Sequence, residues 1–349
     1  MVSALSARAW CRVDLAGGTL DIWPLGVLHP GARTVNVAVG VAARVRLSRR
    51  DRTYRVRQGE RLAEGRTAEE LATHPEGALA GTVLAALGTP PVEVEIATAS
   101  PRGGGLGGSS AIAVALLAAA EGLTGSPRST PERAARLLRD LEARLMGLPT
   151  GVQDHYPALL GGALEIEHPP GGHRVRRLDT DLAALGAALL VVYTGDSHFS
   201  AGNNWQVVRR RLDGDRETAA LFAGIAEVAA EVPAALEAAD LPRVGELMAR
   251  EWSLRRHLAE GISTPAIEHL LEMARGLGAW GGKACGAGGG GCVAILAPPA
   301  RRTAIAEALT ATGATVLDAP PRREPVWVGE GEPPDVSRLT GTGGTPESL

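Results

Sequence analysis

Lysine is almost absent. The 349-residue chain has 36 lysines and arginines together, and Lys283 is the one lysine among them. Arginine therefore supplies the surface charge, a bias in keeping with a GC-rich genome, and the single lysine stands out. Aromatic residues make up 3%, so the core must be built from Ala, Val and Leu, a composition suited to small helices packed on sheets. Cysteine is scarce. Cys11, Cys285 and Cys292 form no CxxC pair and have no His cluster, which argues against a disulfide framework or a zinc site. A net charge of −3 gives no general attraction to nucleic acid or a membrane surface, so any anion must be bound by local groups. No uninterrupted apolar run reaches membrane-spanning length, and the opening MVSALSARAW lacks the apolar stretch of a secretion signal. The expectation is a soluble, cytoplasmic protein. What is present is a hydrophobic content of 45%, enough for a real core, and a length that suits two domains.

Glycine is plentiful, and the chain is organised around residues 101–117, PRGGGLGGSSAIAVALL. Gly103, Gly104, Gly105 and Gly107 let backbone N–H groups approach a ligand with no Cβ in the way. Gly108, Ser109 and Ser110 lead into an apolar helix-forming run. A helix start adds unpaired N–H groups and the positive end of the dipole, so loop and helix form an anion cradle. Ser109 and Ser110 suit the N-cap, and their hydroxyls can reach a metal. No Gly-Lys-Ser/Thr follows, so this is not the common P-loop. Gly103, Gly105 and Gly108 fit GxGxxG, but no acidic residue follows a second strand at the spacing a dinucleotide fold requires. Taken alone, the stretch also fits a glycine-rich linker ahead of a buried helix.

Residues 7–15 alternate as a strand and enter a turn, Ala16-Gly17-Gly18-Thr19-Leu20-Asp21. Residues 35–48 read as a second strand with 53–58 as its hairpin partner, 75–87 as a short helix, and 92–98 as a half-buried strand feeding the glycine loop. Residues 131–146 form an amphipathic helix, with Pro131 in its first turn and Ala134, Leu137, Leu138, Leu141 and Leu145 on one face. Strands are expected at 161–168 and 174–178, around the turn Pro169-Pro170-Gly171-Gly172, and at 186–194. Helices then dominate, at about 200–211, 217–236, 241–259 and 264–277, with Pro233 and Pro242 as breaks or starts. A second glycine loop, KACGAGGGG over 283–291, precedes a strand at 292–296, a helix at 298–312 and a strand at 315–317. After Pro320 the chain reads as extended, ending in disorder.

Several clusters bear chemistry. Arg12 and Asp21 flank the strand-to-turn junction. Arginine offers a charged fork for phosphate, and a turn carboxylate beside Gly17 and Gly18 can accept sugar hydroxyls. Alone, the two read as a surface ion pair. Glu142, in the last turn of its helix, and Asp154 can divide labour near a phosphate: one holds Mg2+, the other orients or deprotonates a hydroxyl. Alone, Glu142 reads as a solvated helix residue. Phosphoryl transfer needs mainly positioning and charge neutralisation, so a helix dipole, a metal, a carboxylate and an arginine form a minimal set. His155 reads as a packing or hydrogen-bonding neighbour. Tyr193-Thr194-Gly195, followed by Asp196, Ser197 and His198, ends a buried strand where sites often form, although loop chemistry explains it equally well.

In their order along the chain these stretches resemble the motifs of the GHMP kinase superfamily. PRGGGLGGSSA is similar to its nucleotide-phosphate motif, Pro-x-Gly-x-Gly-Leu-Gly-Ser-Ser-Ala. RVDLAGGTLD is similar to the substrate-side motif, EARLMGLPTGVQD to the stretch with a metal-binding Glu and a catalytic Asp, and KACGAGGGGC to the third motif. Together they span positions 12–292. GVQDHYPALLGG and VVYTGDSHFS resemble the sugar branch that holds heptose 7-phosphate kinases and the kinase portion of fucose-salvage enzymes. Thr19-Leu20 stands where that branch has Gly-Thr before the Asp, His198 where it has Arg, and Gly108 where it has the first serine of a run. Loss of an Arg that contacts a substrate phosphate argues for an unphosphorylated sugar.

The resemblance implies an α+β fold of two domains. Residues 1–180 would form an N-terminal domain of the ribosomal protein S5 domain 2 type, with left-handed βαβ character and the ATP phosphate loop at 101–111. Residues 181–320 would form a ferredoxin-like C-terminal domain, and 321–349 an extended tail. It implies ATP on Pro101, Gly103, Gly104, Gly105, Leu106, Gly107, Gly108, Ser109 and Ser110, and Mg2+ on Glu142 with Ser109 or Ser110. Asp154 would receive or orient the substrate hydroxyl and Arg12 would stabilise the transferred charge. Asp21 would hold the sugar, with Gly17, Gly18, Gly151, Tyr193, Gly288 and Gly289 around it. The implied activity is phosphotransfer from ATP to a hydroxyl of a sugar or sugar phosphate, by a monomer or homodimer with neither nucleic acid nor membrane as partner. Two alternatives stay open: a sugar- or nucleotide-binding regulator without catalysis, and another GHMP chemistry such as an isoprenoid kinase or a decarboxylase.

Overall fold

The structure, a computed structural model, describes residues 3–196 and 201–333. Ser197, His198 and the end of the tail, 334–349, lie outside the described residues. In chain order the elements are β1 (Ala4–Ala16), α1 (Leu25–Leu28), β2 (Arg33–Arg49), β3 (Tyr54–Gln58), β4 (Arg61–Gly65), α2 (Ala68–Ala72), α3 (Ala78–Ala86), β5 (Val92–Thr98), α4 (Gly108–Thr124), α5 (Pro131–Met146), α6 (His155–Leu160), β6 (Ala163–Glu167) and β7 (Arg174–Arg177). They continue with α7 (Leu182–Ala188), β8 (Leu189–Tyr193), α8 (Ala201–Leu212), α9 (Arg216–Glu237), α10 (Leu241–Arg255), α11 (Pro265–Gly276), β9 (Gly281–Ala284), β10 (Cys292–Leu296), α12 (Pro299–Ala311), β11 (Thr315–Leu317) and β12 (Trp327–Gly329).

β2 organises the first sheet. It runs antiparallel to β1 along most of its length, takes β6 on its first half and β5 on its second. The strand order is β12-β1-β2-β5-β3-β4, with β6 on β2 and β7 on β6. Residues of β2 from Thr34 to Val39 are buried on both faces, whereas Arg44 and Arg46 point out between the inward Val45 and Leu47. The first half is therefore covered on both sides and the second half on one. α4 packs on β1 and β2. Thirteen of its 17 residues are buried, so it is a core helix enclosed nearly all round, and its N-terminus is rigidly placed.

The second sheet has the order β11-β8-β10-β9, all antiparallel. Numbered within this half of the chain, the strands lie fourth, first, third, second, with helices joining the first to the second and the third to the fourth. That is ferredoxin-like topology. The class is α+β, as the motifs imply. One apolar cluster runs from Val13 and Val37 of the first sheet to Val228 of α9 and Ala294 of β10.

The structure corrects several local expectations. Residues 54–58 do not make a hairpin with β2. β3 pairs antiparallel with β4 and parallel with β5, because Gly59, at φ +59°, opens a tight turn directly after β3. Residues 182–188 form a helix, not the start of a strand. Asp181 accepts from the N–H groups of Ala183 and Ala184, and this cap starts a helix in an Ala-rich run whose apolar residues fit either structure. Pro233 lies inside α9 without ending it; packing against α10 outweighs one lost hydrogen bond. Pro242 does sit in the first turn of α10, which stops at Arg255 and not at 259. Leu145 is 40% exposed and not on the buried face of α5. Lys283 belongs to β9 and not to the second glycine loop. By length and composition α9 could cross a membrane, and half of its apolar window is buried in the fold.

After Pro320 the chain returns to the first sheet. Gly40 N–H donates to Pro320 O and Arg322 N–H to Ala38 O, both at 2.8 Å, and β12 then pairs with β1.

Candidate active site

β5 leads into the glycine loop, and the loop into α4. The cap of α4 is Gly107 at φ +73°, not Ser109 or Ser110. Only glycine takes that left-handed conformation without strain, and it places both serines inside the first turn. Ser109 is exposed and Ser110 is buried. Ser110 Oγ donates to the Glu142 carboxylate, 2.9 Å from Oε1 and 3.1 Å from Oε2. Glu142 is 7% exposed, so it is not a solvated helix residue. The fully buried His155 brings Nε2 within 3.1 Å of Glu142 Oε2, in an ionic approach without hydrogen-bond geometry. Burial pushes the His155 pKa down, but Glu142 outweighs it and leaves the imidazole above its ordinary value.

Arg12 comes from β1 and is 2% exposed, so it is no surface residue. Its Nε donates to Asp154 Oδ1 at 2.8 Å and its Nη1 to Gly105 O at 2.5 Å. The same Nη1 lies 3.5 Å from Asp14 Oδ1. Burial alone would lower the guanidinium pKa; Asp154 and then Asp14 outweigh it, so the group stays charged. Arg12 thus ties Asp154, 27% exposed, to the glycine loop. A Cβ on Gly107 would stand 3.1 Å from the Asp154 side chain.

Asp21 lies on the turn after β1 and is 5% exposed. Its Oδ2 accepts from Gln153 N–H at 2.9 Å, and Gln153 O accepts from Asn36 Nδ2 at 3.1 Å. Gly151 must lack a side chain, since a Cβ there would fall 1.7 Å from Asp21 Oδ2. Burial, with Asp154 nearby, raises the Asp21 pKa to about 6. Among the described residues, neither Asp21 Oδ1 nor Gln153 Oε1 has a hydrogen-bond partner. The second glycine loop and the start of β10 brace the first loop and β1: Cys292 N–H donates to Gly104 O at 2.9 Å, and Gly286 N–H to Asp14 Oδ1 at 2.8 Å.

These groups surround a cavity of about 460 Å3. Its wall holds Pro101, Gly103, Gly104, Gly105, Gly107, Gly108, Ser109 and Ser110 on one side. Arg12, Asp21, Glu142, Gly151 and Asp154 complete it. Other expected residues stand behind the wall. Leu106 is fully buried and its carbonyl accepts from Arg12 N–H. Gly17 and Gly18 shape the turn beneath Asp21, Gly288 and Gly289 pack on the Ile262 backbone, and Tyr193 pairs with Cys292 and Thr315. Gly286 and Ala287 reach the cavity instead. Gln153, Asn204, Met146 and Leu148 also line it. Gln153 was legible as the neighbour of Asp154; the others carry no chemical signature in the sequence.

Ser110 Oγ and the Glu142 carboxylate are hard oxygen donors at a helix N-terminus, a set that fits Mg2+ better than softer ions. Burial raises the Cys11 and Cys285 thiols to about 12, so both are packing groups and not nucleophiles.

The fold is of the α+β type, with a glycine loop at the N-terminus of α4 facing one cavity, and comparison with known proteins places that fold in a family. Residues 75–162 match the GHMP kinases N terminal domain and residues 234–315 the GHMP kinases C terminal domain. The chain is 30% identical over 248 residues to the mevalonate kinase of Pyrococcus furiosus, covering 68% of this chain and 69% of that one. It is 26% identical over 212 residues to the D-glycero-alpha-D-manno-heptose 7-phosphate kinase of Campylobacter jejuni. That match covers 60% of this chain and 62%, less than two thirds, of the relative's length. The fold matches the crystal structure of a D-glycero-D-manno-heptose 1-phosphate kinase from Bacteriodes thetaiotaomicron with a TM-score of 0.75 at 18% identity, over 94% of this chain and all of the other. The chain belongs to the GHMP kinase family.

Proposed function

We propose that this chain is an ATP-dependent kinase that transfers the γ-phosphate to a hydroxyl of a sugar or sugar phosphate. The observation that carries this reading is the convergence in one cavity of a helix-capped glycine loop, the Arg12–Asp154 pair and the unpartnered oxygens of Asp21 and Gln153. Loop N–H groups and the α4 dipole would receive the nucleotide phosphates. Ser110 and Glu142 would hold Mg2+, which when bound offsets charge on the phosphates. Asp154 would orient the acceptor hydroxyl and accept its proton, and Arg12 would hold Asp154 against the loop. Asp21 Oδ1 and Gln153 Oε1 have no donor among the described residues, and a polyhydroxylated ligand would supply them.

An isoprenoid-kinase reading draws on the mevalonate kinase relatives. A carboxylate acceptor would face Asp21, Glu142 and Asp154 in this cavity, while Arg12 is already paired; this favours a neutral polyol, and by the same argument a free sugar over a sugar phosphate. A regulator that has lost catalysis would have no need of Arg12, Ser109, Ser110, Glu142 and Asp154 together.

The test is ADP release from Mg-ATP against a panel of free sugars, sugar phosphates and mevalonate. Turnover with a sugar is expected. Turnover with mevalonate alone, or ATP binding without turnover on any acceptor, would replace this reading with one of the alternatives. Asp154→Asn should lower turnover by about 10²–10⁴ while ATP binding persists; near-normal turnover would remove Asp154 from the mechanism.

A further inference from the structure

Beneath the cavity lies a chain of buried charges that no step above uses. Arg255 and Glu251 sit one turn apart on α10, Lys283 on β9, and Asp14 and Arg12 on β1. Arg255, Glu251, Lys283 and Asp14 are each at most 1% exposed. The signs alternate along the path. Arg255 Nε donates to Glu251 Oε1 at 2.8 Å, Glu251 Oε2 lies 3.3 Å from Lys283 Nζ, and Lys283 Nζ donates to Asp14 Oδ2 at 2.5 Å. Asp14 then approaches Arg12, which holds Asp154.

The far end of the path is the turn before Asp21. Arg255 Nη2 donates to Gly18 O at 2.6 Å and Nη1 to Thr19 Oγ1 at 3.0 Å. Thr19 is one of two non-glycine residues among those described with positive φ, at +72°. A β-branched residue adopts that conformation only when its surroundings impose it. Leu20 N–H donates to Gly17 O and Ile22 N–H to Thr19 O, so the conformation at Thr19 sets where Asp21 points. The path therefore begins at the acceptor-side carboxylate turn and ends at Asp154.

Stability does not account for this arrangement. Buried ion pairs add little net stability compared with well-packed apolar residues, because desolvation cancels the attraction. A planar arginine with two forked donors does fix the direction of two acceptors at once, which a lysine cannot.

Resting on the kinase reading above, we propose that Arg255, held by Glu251 and Lys283, is a positioning residue that clamps the Gly18–Thr19 turn and so aligns the Asp21 acceptor site with Asp154. The clamp comes from the C-terminal half of the chain and acts on a turn of the N-terminal half. Lysine at 283 serves as the central cation between two carboxylates, Glu251 and Asp14, which lie on different halves.

The test uses Arg255→Lys, which keeps the charge beside Glu251, loses the fork and lies away from the cavity wall, and Thr19→Val, which removes the hydroxyl acceptor at a residue that also lines the cavity. Each is expected to raise the acceptor KM by about tenfold while the ATP dissociation constant stays within twofold. The double variant should match Arg255→Lys alone, since both remove the same bond. Hydrogen exchange of the amides at 18–22 provides a readout apart from activity and should accelerate at least tenfold in both variants, with α4 unchanged. An unchanged acceptor KM in folded variants overturns the proposal, and so does a matching loss of acceptor and ATP affinity, which is the mark of a general structural defect. If the unaltered protein phosphorylates no acceptor, the kinase reading falls, and unaltered exchange at 18–22 would still refute the clamp by itself.

Discussion

On the proposed function, Asp21 carries a conflict between folding and substrate binding. In the folded chain its carboxyl has a pKa of about 6, against 3.8 in the free side chain, and burial is the main cause. The folded state therefore binds the proton more tightly than the unfolded one. The stability this group gives is full below about 3.8 and is lost as pH rises through about 6, so at neutral pH the buried charge costs roughly 3 kcal/mol. Asp21→Asn should raise the thermal midpoint at pH 7.5 by several degrees and lose that advantage near pH 4, as calorimetry at the two pH values would report. The same substitution should raise the acceptor KM more than tenfold. In the unaltered protein the acceptor KM should climb as pH falls through about 6, with ATP binding unaffected. Arg12, Glu142, Asp154 and Ser110, which the structure brings to one cavity, stood out in the sequence through the motif resemblance, whereas Arg12 and Glu142 read alone as surface residues. Lys283 was visible only as an anomaly. Its partners Glu251 and Arg255 were not, since an i,i+4 Glu–Arg pair on a helix has the same spelling whether it faces water or the interior.

The glycine loop and α4 act as one element, and Gly107 is where they join. Gly107→Ala places a Cβ 3.1 Å from Asp154 on a backbone at φ +73°. The left-handed conformation alone costs about 1–2 kcal/mol for a non-glycine residue. The expected outcome is a lower thermal midpoint together with at least tenfold weaker ATP binding, measured by titration calorimetry; an ATP affinity equal to that of the unaltered protein would show that the loop tolerates the change. Sequence reading found this element because glycine spacing followed by an apolar helix is a strong local signal. It failed at α7 and at β3 for two different reasons. An Ala-rich run fits helix and strand alike until Asp181 caps it. The partner of β3 depends on a turn at Gly59 and on β5, some forty residues away, and no local pattern encodes such pairing.

At the scale of the whole molecule, the two sheets share one apolar cluster, and the segment after Pro320 binds the end of the described chain to its beginning. Arg322 from that segment lies 5.4 Å from the centroid of the Trp10 ring, with Arg8 4.3 Å away. A chain ending at Ala319 should therefore unfold at a lower thermal midpoint in calorimetry; an identical midpoint would mean that the strap adds no stability. The sequence indicated an extended run here but not its destination, because pairing with β1 joins residues more than 300 positions apart. That distance has a consequence for biosynthesis. During translation β1 emerges ahead of β2, its partner on one edge. On its other edge Arg12 is met by Leu106 of the glycine loop, but residues 6–8 stay unpaired until residue 329 has cleared the ribosome. A chain that stops before the strap therefore leaves residues 6–8 of β1 as an open strand edge, a site for pairing between copies.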